Sequence, residues 1–310
     1  MKIAVVGAGL VGATAAYALM IGGLASEIVL VDADRRRAEG EAMDLAHGAP
    51  FARPVTVRAG TLEDCAGARL VVLAAGAAQR PGQDRLDLLR ANAEVFRSIV
   101  PPLARAAPDS VLLVVSNPVD VLTYAALRLS GFPAARVIGS GTVLDTARLR
   151  SLVGQRLAID PRSVHVYVVG EHGDSEVVLW SRAMVAGMPL DEFCRQRGTD
   201  CGAAERAQLA AEVRRAAYEI IERKRATYYA IGLGVRQVVE AILRSQRTVL
   251  TVSSLLQGEL GLADVCLSLP AVLDAGGVGH LLVPAMDEPE AAALRRSADV
   301  LRETAHAAGL

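Results

Sequence analysis

Apolar positions along the chain fall into two regimes. In the first, short runs rich in Val, Ile and Leu recur at residues 3–6, 28–31, 70–74, 111–115 and 136–138. Continuous apolar runs of this length suit parallel strands buried on both faces; a half-exposed strand would alternate instead. Stretches with helical spacing lie between them, such as 10–21 and 85–106. Strands alternating with helices predict an α/β fold, a doubly wound parallel sheet with right-handed crossovers. After about Gly141 the pattern changes. A helix is expected over 144–157, an alternating strand at 164–168 and an apolar run at 177–180. Long helices near 205–221 and 227–243, strands near 248–253 and 265–269, and a last helix from about 288 follow. That mixture predicts an α+β second domain, so the expected division is 1–141 and 142–310. No internal repeat or low-complexity linker separates the halves.

The N-terminal run invites a second reading, because Lys2 followed by apolar residues resembles a secretory signal. Gly7, Gly9, Gly12, Gly22 and Gly23 interrupt it, and Glu27 follows where a strand should begin. A strand, a glycine turn and a buried helix explain the run better. No other stretch stays apolar for the roughly 18 residues a membrane span needs.

Composition narrows the class. The chain is 52% hydrophobic and 22% charged with a formal net charge of -1, ordinary for a soluble globular protein. Nucleic acid is a poor partner, because phosphate binding needs clustered positive charge. Cys65, Cys194, Cys201 and Cys266 form no C-x-x-C pair and no zinc spacing, so four reduced thiols in a cytoplasmic protein, and no metal, are expected. Lys2 and Lys224 are the sole lysines, and Asn92 and Asn117 the sole asparagines.

Gly7-Ala8-Gly9-Leu10-Val11-Gly12 directly follows one expected strand and opens a helix. In that setting the glycines permit a tight turn and let a pyrophosphate approach backbone N–H groups at a helix N-terminus. Asp32 ends the second strand twenty residues after Gly12, where a carboxylate can accept the ribose hydroxyls of NAD and would repel the 2′-phosphate of NADP. Arg35, Arg36 and Arg37 could attract that phosphate, but Asp32 weighs more heavily. The first half is thus expected to be a Rossmann-type NAD-binding domain.

Five further segments occur in order: Gln79-Arg80-Pro81-Gly82-Gln83-Asp84-Arg85, Ser116-Asn117-Pro118-Val119-Asp120, Asp145-Thr146-Ala147-Arg148, Gly170-Glu171-His172-Gly173-Asp174-Ser175-Glu176, and Lys224-Arg225-Ala226-Thr227. Together they resemble the L-lactate/malate dehydrogenase family over essentially the whole chain. The resemblance implies a reversible hydride transfer on a 2-hydroxy acid. It makes His172 the acid/base, Asp145 its carboxylate partner, Arg148 the clamp on the substrate carboxylate and Arg85 the group that polarises the carbonyl. Asn117 would bond substrate near the nicotinamide, and Thr227 would line the pocket. Gly7, Gly9, Val11, Gly12, Asp32, Arg37, Gly76, Ala77, Ser116, Asn117 and Ser140 would contact the cofactor.

These residue types suit the chemistry. An imidazole titrates near neutrality, so it can give a proton to a forming alkoxide and retrieve it in reverse. A guanidinium fork matches a carboxylate in two parallel hydrogen bonds. The segment from Gly76 to Asp84 resembles the family's mobile lid, which closes over substrate and expels water. Malate-specific members carry Arg at the position matching Gln79, and lactate-specific members carry Gln. Pyruvate and L-lactate are therefore the expected pair, with malate the alternative if Arg80 rather than Gln79 takes that position. Arg150 and His165 resemble the fructose 1,6-bisphosphate site of bacterial members, formed where subunits meet, and imply an allosteric homotetramer. With Gly7 so close to the start, the long N-terminal arm of vertebrate members is not expected.

Overall fold

The computed structural model describes residues 1–77 and 85–310. The first half runs β1 (Lys2–Val6), α1 (Leu10–Ile21), β2 (Glu27–Val31), α2 (Arg35–Gly48), β3 (Thr56–Ala59), β4 (Leu70–Leu73), α3 (Arg85–Ala106), β5 (Val111–Val114), α4 (Val119–Ser130) and β6 (Val137–Gly139). The second half continues with α5 (Val143–Leu157), β7 (Val164–His165), β8 (Val168–Val169), β9 (Val177–Val178), β10 (Met184–Val185), β11 (Met188–Pro189) and α6 (Leu190–Arg197). It ends with α7 (Ala203–Lys224), α8 (Tyr229–Leu243), β12 (Thr248–Gln257), β13 (Ala263–Asp274), β14 (Gly277–Leu281) and α9 (Glu288–Ala307).

Six parallel strands take the order β6-β5-β4-β1-β2-β3, the doubly wound arrangement that the apolar runs predict. Their side chains divide by parity. On β1, Ala4 and Val6 pack with Leu89, Phe96 and Val100 of α3. Ile3 and Val5 point the other way, against Ala15, Ala16 and Leu19 of α1 and Val238 of α8. Both faces of β1 are covered, so its buried positions 3–6 cannot be polar without loss.

The second half departs from expectation in its sheet. β12, β13 and β14 do not form a separate layer; they add antiparallel to β6 and extend the same sheet to nine strands. The alternating stretch at 164–168 is not one strand. It breaks between β7, which pairs β10, and β8, which pairs β9. A third core gathers Leu149, Val153 and Leu157 of α5 with Val164, Val166 and Val213.

The expected four reduced thiols need correction. Cys194 and Cys201 are joined in a disulfide. α6 ends at Gly198, whose φ of +62° reverses the chain, and the Thr199 amide bonds back to the Cys194 carbonyl at 3.0 Å. The turn brings the two Cα atoms to 6.1 Å, within bridging range. Cys65 and Cys266 are free and buried. Among the described residues no helix is long and apolar enough to cross a membrane.

Candidate active site

At the end of β1 the chain must turn under β4. Gly7 adopts φ +101°, and a Cβ there would sit 2.4 Å from the Ala75 amide nitrogen. Gly12 presses α1 onto the same turn, since its Cβ would lie 1.8 Å from the Gly7 carbonyl oxygen. Gly9 differs: a Cβ there meets nothing within 4 Å, so the protein's own packing does not require its bareness. α1 also has no side-chain cap and no acidic residue in its first turn. An open approach to uncapped N–H groups fits the pyrophosphate of a dinucleotide.

Asp32 Oδ2 accepts from the Ala8 amide at 2.7 Å and Oδ1 from the Asp34 amide at 2.9 Å. The carboxylate therefore braces the glycine turn as well as ending β2. Asp34 caps α2 through the amides of Arg36 and Arg37, and the Arg37 side chain is exposed. Asn92 on α3 accepts from the Ala77 amide at 2.6 Å and donates to the Asn117 carbonyl at 2.8 Å. The Ser116 hydroxyl donates to the Ala75 carbonyl at 2.5 Å. Gly76, Ala77, Ser116 and Asn117 are thus tied into one rim at the ends of β4 and β5. Ser140 is buried just beyond β6, where its amide bonds Val114. Val11 is half-buried in the first turn of α1.

His172 lies in the loop between β8 and β9, held from three elements. Gly170 exchanges two backbone hydrogen bonds of 2.9 Å with Ser268 of β13. The Glu171 amide donates to Ser297 Oγ of α9 at 2.8 Å. The His172 amide donates to Asp120 Oδ2 of α4 at 2.7 Å. α5 is fixed to the same region. Thr142 Oγ1 donates to the Val168 carbonyl at 2.6 Å, and Thr146 Oγ1 accepts from the Val168 amide at 3.0 Å. These ties aim the first turn of α5, with Asp145, at the imidazole.

The resulting pair is close: His172 Nδ1 and Asp145 Oδ2 are 2.5 Å apart. Asp145 Oδ1 accepts from Arg148 at 2.9 Å, one turn along α5. Burial alone would push the His172 pKa down. The charge of Asp145, its hydrogen bond and the charge of Asp120 outweigh burial and raise it to about 9. Burial likewise works to raise Asp145, but the imidazolium and Arg148 hold its carboxyl below the usual value. A charged imidazole with Nε2 left for a ligand can deliver a proton, and the guanidinium beside it can hold an anion.

Asn117, Asp145, Arg148 and His172 line one cavity of about 960 Å³, with Glu176 and Arg214 on its wall. Thr227 is half-buried between α7 and α8 and does not line this cavity. Gln79 and the side chain of Arg85 lie outside the described residues. Arg150 Nε donates to the Val166 carbonyl at 3.2 Å and its guanidinium stands over the Tyr167 ring, while His165 is exposed on β7.

Asn92, Asp120 and Ser297 are among the contributors to which the sequence assigns no role. Asn92 had one available signal, being one of two asparagines in the chain. Asp120 stood in a quoted segment, but nothing in its spacing shows that it is fully buried against His172. Ser297 is 125 residues from His172 and leaves no local trace.

Residues 1–139 match the lactate/malate dehydrogenase NAD binding domain, and residues 142–308 the lactate/malate dehydrogenase alpha/beta C-terminal domain. An L-lactate dehydrogenase of Synechococcus sp. is 53% identical over 303 residues, covering 98% of each chain. One from Thermus aquaticus is 52% identical over 309 residues, covering 100% of each. Among solved structures, a lactate dehydrogenase from a Medee basin deep-sea metagenome library superposes with a TM-score of 0.96 at 44% identity, over 100% of this chain and 99% of that one. The minor L-lactate dehydrogenase from Enterococcus mundtii gives 0.95 at 43% identity, over 98% and 97%.

Proposed function

Since the chain belongs to the lactate/malate dehydrogenase family and is an NAD-dependent oxidoreductase, we propose that it interconverts pyruvate and L-lactate. The observation that carries this reading is the His172–Asp145–Arg148 constellation, gathered at one cavity beside the dinucleotide rim with Asp145 buried beneath it. Bound NADH supplies the hydride. His172 gives its proton to the forming alkoxide, and Asp145 keeps the imidazolium charged and aimed. Arg148 spends one of its five N–H donors on Asp145, leaving others to clamp the substrate carboxylate. That clamp removes rotational freedom from the reacting carbon. Arg85, at the start of α3, is assigned to the carbonyl oxygen, where negative charge develops. Asn117 sits at the cavity edge to bond substrate near the nicotinamide. Gln79 is assigned to the substrate's variable end. A neutral amide at Gln79 suits a methyl group, whereas a second carboxylate there would be desolvated without a partner. Following NADH oxidation with pyruvate and with oxaloacetate tests the reading.

We further propose a homotetramer activated by fructose 1,6-bisphosphate at Arg150 and His165. Self-association is supported by large apolar side chains left exposed on two helices that pack together, Leu10, Tyr17 and Ile21 of α1 and Tyr229 and Leu233 of α8, since grouped exposed apolar side chains mark interaction surfaces. The expected result is a fall in the pyruvate KM of about fivefold or more when the sugar bisphosphate is added at pH 6. An unchanged KM at that pH contradicts the activation.

A further inference from the structure

The substrate cavity also holds a buried carboxyl that has no part in the chemistry above. Glu176 follows His172 by four residues and is 6% exposed, yet it lines the same cavity. Its backbone is fixed, because its amide bonds the Gly173 carbonyl and Val177 immediately begins β9. Its Oε1 is buried without a hydrogen-bond partner. A buried carboxyl oxygen left unpaired costs far more as an anion than as an acid.

Around it stand Asp145 and Arg148 of α5, His172 of its own loop and Arg214 of α7. Three further groups share the cavity. Glu171 accepts from Ser175, Asp174 accepts from Tyr218 of α7, and Glu303 comes from α9. Already the site must receive an anionic substrate beside the buried charge of Asp145. A second buried anion would oppose that substrate, and a neutral acid would not.

We propose that Glu176 is a positioning residue for the substrate anion: as a neutral acid it leaves Arg148 free to clamp the carboxylate, and as an anion it competes for that guanidinium and repels the substrate. This inference rests on the pyruvate reading above. Burial, then the charge of Asp145, raises Glu176 to about 8, against the pull of Arg214, His172 and Arg148. The group is therefore neutral at neutral pH and ionises as pH climbs through about 8, below the pH at which His172 loses its proton. Substrate affinity weakens with rising pH before the proton donor is lost, so KM moves ahead of kcat.

The test is the pyruvate KM and kcat of the full chain with saturating NADH, from pH 7 to 9.5, for wild type, Glu176→Gln and Arg214→Met. Wild-type KM should rise about fivefold between pH 7 and 8.5, the factor expected of one ionisation near 8 plus the start of another near 9. In Glu176→Gln the rise over the same interval should be under about twofold, because an amide cannot ionise. Removing the Arg214 cation should carry the wild-type inflection to higher pH, since that charge now favours the ionised carboxyl. The Arg214 variant keeps the test open if Glu176→Gln does not fold. Parallel KM profiles in wild type and Glu176→Gln, or an inflection unmoved in Arg214→Met, overturn the inference. Absence of NADH oxidation with pyruvate at pH 7 in wild type would instead overturn the underlying reading.

Discussion

Replacing His172 with Asn is expected to lower kcat for pyruvate reduction by about 10³- to 10⁴-fold, the upper range for losing a positioned general acid. Asn keeps a polar, compact side chain but carries no proton that titrates in the working range. The site should survive otherwise. Asp145 retains its bond from Arg148, and the residue 172 amide still donates to Asp120. NADH binding, read by its fluorescence on titration, should stay within a few-fold of wild type. In the unaltered protein, kcat for pyruvate should fall as pH rises through about 9, where the raised imidazolium gives up its proton. Lactate oxidation starts from the neutral imidazole, so it should climb over the same range. A variant within tenfold of wild type would remove His172 from the proton transfer.

Substituting Gln79 by Arg is expected to reverse the substrate preference. With a guanidinium at this position, the second carboxylate of oxaloacetate gains a bidentate partner. The methyl group of pyruvate instead leaves a buried cation unpaired, which costs several kcal/mol. Each effect should be worth about 10²-fold in kcat/KM, and they act in opposite directions, so the ratio of the two substrates should move by about 10⁴. Parallel kcat/KM determinations with both acids check it. Gln79 lies outside the described residues, and the expectation rests on its place ahead of Pro81, Gly82 and Arg85. A variant that still favours pyruvate by the wild-type margin would place selection elsewhere.

The central strands and the glycine turn were legible because each is written locally. Buried parallel strands must be apolar throughout, and the turn needs glycine where Gly7 and Gly12 nearly touch neighbouring backbone. His172, Asp145 and Arg148 were legible through family resemblance, and the structure brings them together. What was not legible is long-range. The runs near 248–253 and 265–269 read as strands, but nothing in them shows that they pair beyond β6 in the same sheet. The break between β7 and β8 arises from two different pairing partners, which a run of Val and Tyr does not encode. The Cys194–Cys201 bridge depends on the reversal at Gly198, and a spacing of seven gives no such signal. The anchoring of the His172 loop by Asp120, Ser268 and Ser297 joins residues 52 to 126 positions apart. Such pairings depend on the packing of whole elements, not on spacing along one of them.

Substrate selection at Gln79 is decided by the rate of NADH oxidation by the unaltered protein at pH 6 to 7, with pyruvate and separately with oxaloacetate. The kcat/KM for pyruvate should be at least about 10²-fold higher, because a neutral selector admits the methyl group and leaves a second carboxylate unpaired. A preference for oxaloacetate would contradict the assignment of Gln79 as the selector, while leaving the cofactor site and the proton donor in place.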